Sequence, residues 1–306
     1  QQVPNPFYGI ITAGPLSTET IQRARLLVAH PHYNSAGRPG YFGESRYHAL
    51  QLRADKRFSA GASVSANYTF AKNMSNTEST TGWLEAGAGT PSAGYQTNDL
   101  EKEWSLSSFD VRHRFVLNYT LDLPFGAGRR FLGNASGVLD YLVSGWSVHG
   151  VVTLQSGFPL AFTATPNLIG NGYGLRPNVD PTCNKKVSGS AKDRLDRWFN
   201  TDCFSVPHLG SNSDPRLRWQ LGNAPRTDPD LRGHGVHNWN LAVSKTTPLS
   251  NGVNLTLRAE AFNLFNRVQF GMPNTQVSTS ATSTFGQVTT QRNQPRLVQL
   301  AARLTF

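Results

Sequence analysis

The eleven residues RLVQLAARLTF, 296–306, split by strict alternation. Val298, Leu300, Ala302, Leu304 and Phe306 form a wholly apolar series; Leu297, Gln299, Ala301, Arg303 and Thr305 form a mostly polar one. Successive side chains on a strand point to opposite sides, so this segment predicts a strand with one apolar face. The same period of two runs through HALQLRADKRF (48–58), ASVSANYTF (62–70), DVRHRFVLNYTLDL (110–123), GWSVHGVVTLQSGF (145–158), HNWNLAVSK (237–245) and VNLTLRAEAFNLF (253–265). Val64, Ala66, Tyr68 and Phe70 oppose Ser65, Asn67 and Thr69; Phe115, Leu117, Tyr119 and Leu121 oppose Arg114, Asn118, Thr120 and Asp122. Seven strands emerge, most of about nine to fourteen residues. Soluble strands average about five or six residues, whereas a strand that crosses a bilayer needs about nine to eleven.

The connections alternate in length. They are short at 58–60, long at 72–105, intermediate at 124–143, very long at 160–235, short at 248–252 (PLSNG) and long at 266–295. An antiparallel up-and-down transmembrane β-barrel has this rhythm, with short turns on one rim and long external loops on the other. The expected organisation is an external loop with a possible preceding strand over 1–44, the latter within 21–29, and barrel wall over 45–306. A soluble β-sandwich also alternates. Its water-facing positions would carry more Lys and Glu. Here the polar series hold Ser, Thr, Asn, Gln, Arg and Asp, as a wet lumen would.

Composition supports the same class. Of 306 residues, 28 are Gly, 17 Phe and 9 Tyr, and only 16% are charged. The mean hydropathy is −0.39, and no apolar run approaches the length of a membrane-spanning helix. A net charge of +10 raises nucleic acid as a partner. The basic residues are scattered, however, with nothing denser than RAR at 23–25, RHR at 112–114 and RR at 129–130, which argues against it. The chain opens QQVPNP, without Met or a charged-then-apolar leader, so a removed leader or a missing N-terminal part is expected.

Candidate chemistry is sparse. Cys183 and Cys203 lie in a polar Gly/Pro/Asp-rich stretch, and an oxidising compartment would join them in a disulfide. Arg53, Asp55, Asp110, Arg112, Arg114, Arg258 and Glu260 occupy polar-series positions and are candidates to face a lumen, most simply as a structural salt-bridge ladder. His30 with His32, and His234 with His237, lack a carboxylate or Cys at metal-binding spacing and read as loop histidines. Trp104, Trp146 and Trp239 fall near strand ends, as membrane-interface anchors do. GxSxG, HExxH, Walker A and dinucleotide motifs are missing, so neither an enzyme site nor a cofactor is expected.

Four stretches carry a resemblance. SSFDVRHRFVLNYTLDLPFGAGRRF, SGWSVHGVVTLQSGFPLAFT, LTLRAEAFNLFNRVQFGMPN and PRLVQLAARLTF resemble the C-terminal barrel of Oar-like TonB-dependent receptors of the acidobacterial, carboxypeptidase-regulatory-like type. YHALQLRADKRFSAGASVSANYTFAKN is similar to the same family, and the likeness runs from about residue 20 to the end. It implies a barrel of about 22 strands with a plug inside, of which this chain would supply seven or eight. It also implies a bacterial outer-membrane location, assembly by the barrel-assembly machinery through the C-terminal signal Val298, Leu300, Ala302, Leu304 and Phe306, and energised uptake of an unspecified substrate. TonB, ExbB and ExbD would act through an N-terminal part outside this sequence. Two further readings remain: a small closed barrel serving as an adhesin or structural protein, and a surface-binding module on the 160–235 loop.

Overall fold

The computed structural model describes residues 2–28, 30–33, 41–58, 61–77, 99–166, 174–207, 221–250 and 252–306. Seven long strands dominate: β1 Ser45–Arg57, β2 Ser63–Ser75, β3 His113–Asp122, β4 Trp146–Gln155, β5 Val236–Ser250, β6 Val253–Phe262 and β7 Leu297–Thr305. Each pairs antiparallel with the next in sequence, giving one up-and-down sheet. The expected strands therefore form in the expected order. Their ends follow the partner strand rather than the hydrophobic pattern. Strand β2 runs past Phe70 to Ser75 because β1 offers it partners as far as Ser45.

The register keeps the two series apart across the whole sheet. Leu52 lies opposite Tyr68, Tyr68 opposite Phe115, Phe115 opposite Leu154, and Leu154 opposite His237. Towards the C-terminus Leu241 meets Ala261, which meets Val298. Residues directly opposite in an antiparallel pair share a face, so every strand sets its apolar side on the same side of the sheet. Pro248 falls where β5 changes register against β6, a place where a missing N–H costs no ladder bond.

Among the described residues β1 and β7 are the two edges of the sheet and do not pair with each other. Among the described residues the N-terminal region adds no long eighth strand; position 29 of the expected 21–29 strand lies outside them. Gln2–Pro4 pairs with Thr20–Gln22, and Arg23–Leu26 forms one helical turn. Leu26, Leu27 and Val28 run consecutively, which suits no alternating strand.

The apolar core lies outside the sheet. The described parts of the 160–235 and 266–295 segments, expected as long loops, fold onto one another. Leu160, Phe162, Trp198, Phe199, Phe204 and Leu231 from the first pack with Val277 and Val288 from the second, joined by Phe270, Met272 and Phe285. Thr163–Thr165 pairs in parallel with Gln276–Ser278. The rings of Phe162 and Phe204 stack 4.4 Å apart, with Phe199 edge-on to Phe162 at 5.1 Å. The result is a knob on the long-loop rim with its own hydrophobic centre.

Cys183 and Cys203 are joined in a disulfide across 20 positions, and Cys203 is buried in that centre. Closing a loop of this size lowers denatured-state entropy by the equivalent of roughly 3 kcal/mol. Replacing both cysteines by Ser is expected to lower the knob's stability by about that amount, read as earlier proteolytic nicking. Maleimide should label the native protein on intact cells only after a reductant is added.

Candidate functional site

Two regions gather polar chemistry: one face of the sheet, and the base of the knob. On the sheet, Arg53, Asp55, Arg114, Arg258 and Glu260 all lie on the face opposite the apolar series, as their pairings with Asn67, Ser65, Thr69, Ser244 and Ala242 require. The acidic and basic members pair within their own strands. Arg53 Nε meets Asp55 Oδ2 at 2.7 Å, and Arg258 Nη2 meets Glu260 Oε1 at 2.5 Å. Two residues apart on a strand is one step along the same face, so no cross-strand ladder of charges is needed. Beside them His149 accepts or donates hydrogen bonds with Thr120 at 3.3 Å, Ser147 at 3.2 Å and Ser244 at 3.3 Å. A cleft of about 650 Å³ opens here, lined by Arg53, Asp55, Arg57, Asn118, Thr120 and His149.

Asp110 and Arg112 do not belong to this face as the alternation suggested. Strand β3 begins at His113, and Asp110 is pulled into the knob. Its carboxylate pairs with Arg232 at 2.5 Å and accepts from the Asn73 N–H at 2.7 Å. Arg232 also donates to the Asp110 and Gly157 carbonyls at 3.0 Å. A guanidinium with three acceptors in reach outcompetes continuation of the strand. Arg112 lines a small external cleft with Lys72, Trp104 and Pro229.

Asp110 is one member of a buried ionic base that alternation could not reveal. Arg176 pairs with Glu103, and both are almost wholly buried. Arg226, fully buried, donates from Nε to the Glu103 carbonyl at 3.1 Å and from Nη2 to the Ser75 carbonyl at 2.6 Å. Lys185 binds Asp228 at 2.6 Å, and Asp228 accepts the N–H groups of Asp230 and Leu231 at 2.9 and 3.0 Å. Glu103, Ser75 and Asp228 lie 43 to 151 positions from the cations they hold. The run RTDPDLR, 226–232, is the one sequence signal that could have drawn attention to the region.

On the knob surface a cleft of about 350 Å³ is lined by Lys186, Arg194, Trp198, Asp230, Arg232 and His234. Arg194 stacks over Trp198 at 4.7 Å. Burial holds the His234 imidazole below the usual histidine range; the nearby Arg194 and Arg292 charges add to this against an opposing hydrogen bond with Gly235. His237, by contrast, sits at the start of β5 and hydrogen-bonds Arg267 at 2.6 Å. His30 and His32 lie edge-on to each other, 5.9 Å between ring centres, in the N-terminal region.

The short-turn rim depends on Gly145. It has φ +73°, and an added Cβ would fall on the Thr246 carbonyl oxygen of β5. Gly145→Ala is expected to destabilise the β3–β4 turn by about 1–3 kcal/mol, through left-handed strain and backbone collision together. Equilibrium unfolding of the variant in liposomes checks this.

Residues 2–299 match the outer membrane beta barrel domain family. The chain belongs to that family. This barrel-domain protein is thus an all-β, antiparallel wall of a bacterial outer-membrane barrel. Among solved structures it is similar to the outer membrane transporter YddB from Escherichia coli, with 10% identity and a TM-score of 0.37. The match covers 86% of this chain and 25% of the transporter, so the barrel-domain chain spans about a quarter of that protein's length. Searching the curated proteins yields no match.

Proposed function

We propose that this barrel-domain chain forms part of the wall and outer cap of a TonB-dependent receptor of the Oar-like type, which takes up a substrate across the outer membrane. The observation that carries the proposal is the open sheet. Among the described residues, seven membrane-length strands end in two unpaired edges, β1 and β7, yet hold one continuous apolar face and one continuous polar face. Bare strand edges are not tolerated in lipid. Further strands must cover them, and a wide barrel follows. The apolar face then meets lipid, and Arg53, Asp55, Arg114, Arg258 and Glu260 line a polar interior large enough for a plug. Val298, Leu300, Ala302, Leu304 and Phe306 serve as the signal read by the barrel-assembly machinery. TonB with ExbB and ExbD energises transport through the rest of the receptor.

A double variant Ala54→Cys, Ala302→Cys tests the wide barrel. Both positions lie on the apolar face of the edge strands. In native membranes, mild oxidation should give no link between them. A link would close the sheet on itself and favour the small-barrel reading. Loss of uptake in cells lacking TonB, with the barrel still assembled, tests the coupling.

A surface-binding role keeps one specific support, the cleft around Arg194, Trp198 and His234. The unit involved is not the 160–235 loop alone. Its core needs Val277, Val288 and Phe285 from the neighbouring loop.

A further inference from the structure

The turn between β3 and β4 carries a short helix, α1, Val138–Val143. Its polarity is inverted for a protein in water. Asp140, its only charged residue, points back into the turn, where Oδ1 accepts from the Ala127 N–H at 2.8 Å and from the Ser144 hydroxyl. Val138, Leu139, Tyr141 and Leu142 point outward and are 77%, 52%, 55% and 63% exposed. Phe125 and Phe131 of the same turn are also exposed, with their rings 5.7 Å apart.

The helix is tied to one side of the sheet. Trp146 and Lys245 lie opposite each other at the rim and belong to the apolar face. Trp146 Nε1 donates to the Leu142 carbonyl at 2.8 Å, and Lys245 Nζ donates to the Ser144 carbonyl at 2.7 Å. The end of α1 is therefore anchored by side chains that project from the lipid-facing side. The outward apolar surface of the turn continues the apolar face of the wall. Cations accompany it: Arg129 and Arg130 within the turn, and Lys245 stacked on Trp146 at 5.3 Å. Apolar and aromatic groups with neighbouring Lys and Arg match the boundary between acyl chains and anionic headgroups.

We infer that the 124–143 turn is a membrane-interface anchor: α1 lies in the leaflet at the short-turn rim, with its apolar side among acyl chains and Arg129 and Arg130 on phospholipid phosphates. The inference rests on the reading that the apolar face of the sheet meets lipid, and it names a lipid contact outside the barrel strands. Such helices sit about 5–10 Å into the headgroup boundary. The turn would then hold the wall at a set depth and tilt.

Three single variants, Val138→Cys, Leu139→Cys and Leu117→Cys, each carrying an environment-sensitive fluorophore, test this in the folded protein in bilayers of phosphatidylglycerol and phosphatidylethanolamine. Quenching by shallow nitroxide lipids is compared with quenching by aqueous iodide. Labels at 138 and 139 should emit to the blue, be quenched by shallow nitroxide and resist iodide. Adding Arg129→Gln and Arg130→Gln should restore iodide access in part. Free access of iodide to 138 and 139 overturns the inference. Protection from both quenchers also overturns it, because another protein surface would then cover the helix. The label at 117, read with nitroxide placed deep on the acyl chain, separates the two readings: deep quenching there, with no shallow quenching at 138 or 139, sinks the anchor alone, whereas no deep quenching at 117 sinks the lipid-facing assignment itself.

Discussion

Leu117→Arg is expected to cost about 2–4 kcal/mol of folding stability in a bilayer. Leu117 sits near the middle of β3, opposite Ala66 on one side and Val152 on the other, so it belongs to the apolar face far from either rim. A guanidinium there must snorkel or drag water into hydrocarbon. Val64→Arg should cost less, because Val64 lies near the short-turn end of β2 and penalties fall towards the interface. Ser65→Arg should be milder again. Ser65 lies opposite Asp55 and Asn118 on the polar face, where an added cation meets a carboxylate and water. Urea titration of the three variants in liposomes provides the ranking. Equal losses for Leu117 and Ser65 would reverse the assignment of the faces.

Glu103→Ala is expected to loosen the knob by about 3–5 kcal/mol, the usual result of leaving one member of a buried ion pair behind. Arg176 is only 3% exposed, so its charge cannot escape to water. Glu103 also presents its backbone carbonyl to Arg226, which ties the end of the 72–105 segment to β2 through Ser75. Alanine keeps that carbonyl, so the tie to the sheet should survive and the damage should stay within the knob. Removing both charges, as in Glu103→Leu with Arg176→Met, should recover much of the loss, since apolar replacements of similar volume remove the desolvation problem. Emission from Trp198, buried in the same knob, reports the transition. A single variant as stable as the parent would mean that Arg176 is held by more than Glu103. The two predictions separate by location: Leu117→Arg should act on the bilayer-embedded sheet and Glu103→Ala on the cap.

Period two is readable without a structure because a strand's side-chain geometry is local. Alternation over nine or more residues defines both the strand and its two faces, whatever the strand pairs with. The seven strands, their up-and-down order and the polar side that carries Arg53, Asp55, Arg114, Arg258 and Glu260 were all legible in this way. Loop lengths added which rim is which. Strand ends were less legible: β2 and β5 extend with their partners, and β3 starts late because Arg232 claims Asp110.

Tertiary structure alone decided the cap. The aromatic residues of 160–235 and 266–295 have no period, and their contacts join residues as distant as Phe162 and Phe285. Nor does any spacing foretell that Glu103 meets Arg176, or that Arg226 reaches Ser75. Such partners are chosen by where the strands place the loop ends in space. The inverted polarity of Val138–Val143 falls in the same class: the segment reads as an ordinary apolar run until the turn shows Asp140 facing in and Leu139 facing out. What this sequence determines by itself is what strand geometry repeats every two residues. What it leaves to the fold is every contact made across the gaps between strands, because those depend on distances that only the assembled sheet sets.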